Sequence, residues 1–82
     1  MNQQFLTAVK EWVAARGSVN ELLQHVRAHK DAGLSQSDAY ATLEHVLAAA
    51  PDDEIDDRLR DVMDFVSGWC SPHARIWPEP KL

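Results

Sequence analysis

Cys70 and His73 stand three residues apart in the stretch GWCSPHARIW, residues 68–77, which also holds two tryptophans, a proline and Arg75. A thiol beside an imidazole is the raw material of a nucleophilic pair. A thiolate, however, needs cations or a helix N-terminus to lower its pKa. Cys70 falls at the C-terminal end of a predicted helix, where the dipole opposes negative charge. No carboxylate stands near His73 in the sequence to orient its ring. No catalytic residue is assigned, and the chain is not expected to be an enzyme.

Metal binding is the second chemistry these residues could do. His25 and His29 have the i, i+4 spacing that puts two ligands on one helix face, and with Cys70 and His73 they would complete a tetrahedral zinc shell. One cysteine with three histidines is not a usual structural set. A helical wheel also sets His25 well off its apolar stripe, His29 at the margin of that stripe, and His45 away from its own. The expectation is therefore no metal and no cofactor, with His25, His29, Cys70 and His73 as the candidate ligands.

Packing is the third reading of the stretch, and the favoured one. Trp69 continues an apolar helical stripe, Pro72 turns the chain, and Ile76 and Trp77 return to the body of the protein. Burial of a large side chain is worth roughly 1.5–3 kcal/mol, which a small domain needs. Trp69, Ile76 and Trp77 are expected to pack on one another or on Phe5, Trp12 and the last helix.

The elements that position these residues are four helices and a tail, over a single domain of residues 1–82. Phe5, Val9, Trp12 and Val13, with Leu6 at the margin, mark a helix over 3–16, and Gly17 reads as its stop. Ser18 with Glu21 forms a capping box for a second helix over 19–32, with Val19, Leu22, Leu23 and Val26 as its stripe and Gly33 at its end. Ser35 caps a third helix over 36–50, whose apolar face is Ala39, Leu43, Val46, Leu47 and Ala50. Leu34 is placed to staple onto Ala39. The fourth helix covers 53–70, with Ile55, Leu59, Val62, Met63, Val66, Trp69 and Cys70 on one stripe. Gly68 weakens its last turn and Pro72 ends it. Residues 71–82, with three prolines, form an extended tail. The fold expected is an all-α, compact bundle of four short helices with this tail laid across it, and the short connections favour antiparallel neighbours.

Charge is distributed unevenly. Asp52, Asp53, Glu54, Asp56, Asp57, Asp61 and Asp64 share thirteen residues with only Arg58 and Arg60, which gives −5, the net charge of the whole chain. Asp53, Asp57, Asp61 and Asp64 lie opposite the apolar stripe of the fourth helix. The pairs Asp53/Asp57 and Asp57/Asp61 are i, i+4 like-charge pairs, each costing a few tenths of a kcal/mol. Repulsion retained on a small domain points to a basic protein partner. No Lys/Arg cluster of the kind that neutralises phosphates is visible, so nucleic acid is not the expected partner. One segment does superficially resemble a helix-turn-helix: HKDAGLSQSDAY, with Gln36, Ser37, Tyr40 and Thr42 at the reading positions but no arginine or lysine.

No apolar run approaches the ~20 residues of a membrane span, and the first residues lack a secretion signal. A lone cysteine gives no internal disulfide. The bacterial cytoplasm is the expected compartment.

The segment DFVSGWCSPHARIW, Asp64 to Trp77, resembles small bacterial helical proteins of no assigned activity that end in a Gly-Trp-Cys-Ser-Pro…Ile-Trp pattern. Size, acidity and helical build are similar, at the level of class alone, to immunity proteins that neutralise bacterial toxins. That likeness implies a non-enzymatic interaction module or inhibitor. Asp53, Asp57, Asp61 and Asp64, with Arg75 and Trp77 from the tail, are the candidate partner-binding residues.

Overall fold

A computed structural model describes residues 2–68 together with residues 76 and 77. It contains four α-helices: α1 (Gln3–Ala14), α2 (Val19–Asp31), α3 (Gln36–Leu47) and α4 (Asp53–Ser67). The described residues contain no strand. The all-α four-helix architecture expected from the periodicity is the one found.

Each helix begins on a side-chain cap. Asn2, Ser18, Ser35 and Asp52 accept from the backbone N–H groups of Phe5, Glu21, Asp38 and Ile55 respectively, satisfying amides that have no partner inside the helix. The capping box read at Ser18 and Glu21 is formed in full. The Gly33 stop is also formed. Gly33 takes φ 109°, its N–H donates to the Lys30 carbonyl, and Leu34 N–H donates to the His29 carbonyl at 2.9 Å. This is a Schellman turn, and its hydrophobic member, Leu34, is buried.

Three helix ends differ from the sequence reading. Helix α3 ends at Leu47, three residues short of Ala50, with Ala48 as its C-cap. After α1 the left-handed position is held by Arg16 (φ 53°), not by Gly17. Gly17 follows it and donates to the Trp12 carbonyl. The glycine is required for a different reason: a Cβ there would fall on the Trp12 ring. The fourth helix ends at Ser67, short of Cys70, because Gly68 turns left-handed (φ 90°). A glycine near a helix end more readily leaves the helix than weakens it. The phase that carried Trp69 and Cys70 along the α4 stripe therefore stops at Ser67, and both residues lie outside the described part.

The core is one cluster. Phe5, Leu6, Val9 and Trp12 from α1 meet Leu22, Leu23 and Val26 from α2, Ala39, Leu43 and Val46 from α3, and Ile55, Leu59, Val62, Met63 and Val66 from α4. Thr42 is buried among them, with its hydroxyl donating to the Asp38 carbonyl at 2.7 Å. No buried side-chain polar atom among the described residues lacks a partner. The best-packed pairs are α1/α2, α1/α3, α3/α4 and α2/α4, so the order around the bundle is α1, α2, α4, α3. Consecutive helices α2 and α3 are not a principal pair, although only four residues join them. A short connection ties helix ends together; the direction of each apolar stripe decides which flanks pack.

Ile76 is buried in the same cluster and Trp77 packs half-buried against it. The Lys30 ammonium donates to the Ile76 carbonyl at 2.7 Å, and its charge lies 5.7 Å from the Trp77 ring centroid. Ile76 N–H reaches the Phe65 carbonyl at 3.5 Å. The expected return of the tail holds for these two residues.

Candidate functional site

The acids of α4 divide into two sets. One set is used within the fold. Asp52 caps the helix and meets Arg16 at 2.9 Å, Glu54 is bonded to both Arg16 and Arg58, and Asp56 pairs with Arg60 at 2.8 Å. Arg58 also donates to the carbonyls of Arg16 and Gly17 at 3.2 and 3.1 Å, so it fastens the α1–α2 turn to the start of α4. The Ile55 amide and then the Arg16 guanidinium hold the Asp52 carboxyl below the usual carboxylate range. In turn Asp52 raises the pKa of Arg16, and Asp56 that of Arg60.

Asp53, Asp57, Asp61 and Asp64 form the other set. All four are exposed, and none makes an ion pair with a described residue. At 100° per residue they occupy a stripe about 80° wide, and their spacing makes it about 16 Å long. Asp57 stands close enough to Arg60 to support its charge without pairing with it. The outer stripe is the set of four that the helical wheel sets apart, and the inner end is paired. The pairing of Asp52 and Glu54 could not be read from sequence, because Arg16 reaches them from beyond another helix.

Beside this stripe lies a groove of about 260 Å³ between α3 and α4, lined by Tyr40, Arg60, Met63 and Asp64. A second groove, of about 230 Å³, opens between α1 and the end of α3, where Lys10 and His45 rim an apolar floor of Val13, Val46 and Ala49. Sequence reading reaches neither, since each needs the order of helices around the bundle.

The candidate metal ligands are not brought together in the described part. His25 is exposed. His29 packs its ring against Phe5 at 5.3 Å, and its Nδ1–H donates to the His25 carbonyl at 2.8 Å. That bond is local to α2. No group of three or more His, Cys, Asp or Glu among the described residues could hold a metal ion. Cys70, His73 and Arg75 lie outside those residues. Among the helix-turn-helix positions, Thr42 is buried and the Gln36 amide donates to the Val66 carbonyl at 2.8 Å, closing the end of α4. Tyr40 is half-buried, which leaves Ser37 as the one fully exposed side chain of the four.

Family models, curated proteins and solved structures were compared with the chain, and none matches. Among the described residues no helix is long and apolar enough to cross a membrane.

Proposed function

We propose that this chain is a non-enzymatic interaction module that meets a basic protein surface through the outer face of α4, in the manner of an immunity or inhibitor protein of the bacterial cytoplasm. The observation that supports this most directly is the unpaired outer stripe. Four carboxylates stand exposed on one face while the neighbouring acids Asp52, Glu54 and Asp56 are all engaged by arginines. A stripe of one sign steers association and sets register with a complementary partner.

The test starts from the protein cross-linked to this chain in its source organism, and measures its affinity across a salt series. The expected outcome is a basic partner whose affinity falls as salt rises. The double reversal Asp57→Lys/Asp61→Lys should weaken it tenfold or more, mainly through slower association. A partner that ignores both salt and the reversals removes the proposal.

A further inference from the structure

We infer that the groove between α3 and α4 is the anchor point of that interface and takes an arginine side chain of the partner. The inference rests on the reading of the acidic stripe as an interface, and adds to it the residue class that the partner must present.

The groove has one wall of each kind that a guanidinium uses. Tyr40 offers a half-buried ring, Met63 an apolar surface for the methylene stem, and Asp64 an exposed carboxylate. The Tyr40 hydroxyl and the Asp64 carboxylate make no hydrogen bond to a described residue, so both are open to a ligand. Arg60 also lines the groove, but its charge is offset: Nε donates to Asp56 at 2.8 Å and Asp57 stands nearby. Counting Asp56, Asp57 and Asp64 against Arg60, the surroundings carry −3 + 1 = −2. A partner cation is attracted there. The volume of about 260 Å³ suits a single long side chain. Arginine fits better than lysine, because its planar head stacks on an aromatic ring while it pairs with a carboxylate.

The experiment uses two probes, acetyl-Gly-Arg-Gly-Arg-Gly-amide and the same peptide with lysine, titrated into the isotopically labelled protein and followed by NMR. The arginine peptide should shift the Tyr40, Met63 and Asp64 signals and bind about two- to fivefold more tightly than the lysine peptide. Tyr40→Leu, which keeps an apolar side chain, should bring that ratio to about one. Asp64→Asn should weaken the arginine peptide by about two- to fivefold. If Tyr40→Leu is poorly folded, Asp64→Asn and the peptide ratio still decide. Equal binding of the two peptides, or no arginine binding at all, overturns the anchor. Equal binding that Asp57→Lys/Asp61→Lys weakens overturns the anchor alone and leaves the stripe as an interface. Binding of either peptide that is indifferent to that double reversal overturns the stripe as well.

Discussion

Arg16, Gly17 and Trp12 show how much a single turn asks of its residues. Arg16 holds the left-handed conformation that glycine adopts most easily, at a cost of roughly 1–2 kcal/mol for a residue with a Cβ. Two ion pairs from that side chain and two arginine bonds to the turn carbonyls offset part of it. Gly17 is there for space: the Trp12 ring lies over it, with its Nε1–H donating to the Ser18 carbonyl at 2.8 Å. Gly17→Ala should therefore cost about 1–3 kcal/mol, because either the ring or the turn must move. Denaturant unfolding checks this, and tryptophan fluorescence reports whether the ring has been displaced. An unchanged midpoint in the Gly17→Ala variant would mean that the turn gives way freely. Gly17 is legible as a stop signal, and its real role is not. The spacing Trp12 to Gly17 does not say that an indole folds back over the turn it precedes. The same limit applies to His29, whose ring bonds the carbonyl of its i, i+4 neighbour His25.

Helix α2 is legible almost to its ends and α3 at its start, because Ser18, Gly33 and Ser35 are strong local signals that tertiary packing does not override. The end of α3 reads three residues too long, since Ala48, Ala49 and Ala50 carry no stop signal before Pro51. Helix α4 is legible at its start and reads too long at its end, where Gly68 competes with an apolar stripe that runs on through Trp69. The outer four acids of the split are legible on the wheel, but the engagement of Asp52 and Glu54 is not, since it depends on an arginine from the end of α1. That split makes an element-scale prediction. The like-charge neighbours Asp57 and Asp61 repel without compensating ion pairs, so removing one charge should stabilise the free protein. Asp57→Asn is expected to raise stability by a few tenths of a kcal/mol, since it relieves the i, i+4 contacts with Asp53 and Asp61 together. The gain should shrink in high salt, where exposed charges are screened. Measured by thermal unfolding at two ionic strengths, a loss of stability in Asp57→Asn would show that this carboxylate is engaged in the free protein. A variant that is more stable yet binds the basic partner less well is the pattern expected where charge is retained for association.

At the scale of the whole molecule, the four stripes close one core, and the order α1, α2, α4, α3 around it sets where the grooves open. Helix α3 has a groove on each flank, and the one beside α4 adjoins the unpaired carboxylates. The fold class follows from the stripes alone. The circular order does not, because four amphipathic helices joined by short turns can be arranged around a common core in more than one way. Residues 76 and 77 are held to this bundle by the burial of Ile76, 6% exposed, and by Lys30, whose ammonium bonds the Ile76 carbonyl and faces the Trp77 ring. Sequence reading expects Trp69, Ile76 and Trp77 to pack together, with a loss of ~3–5 kcal/mol when Trp77, taken as fully buried, is truncated to alanine. Trp77 is only half-buried, which lowers the loss expected for it. Ile76→Ala should cost about 2–5 kcal/mol, the range for a buried aliphatic side chain. Trp77→Ala should cost about 1–2 kcal/mol, since only part of its surface leaves water and the cation–π contact is partly solvated. Equilibrium denaturation of both variants beside the wild type gives the ranking directly. If Trp77→Ala proves the more damaging, the indole is the main contact of this pair with the core. If it leaves stability unchanged, Trp77 is free to act with the acidic face as part of the surface a partner meets, where tryptophan is among the residues that dominate binding energy.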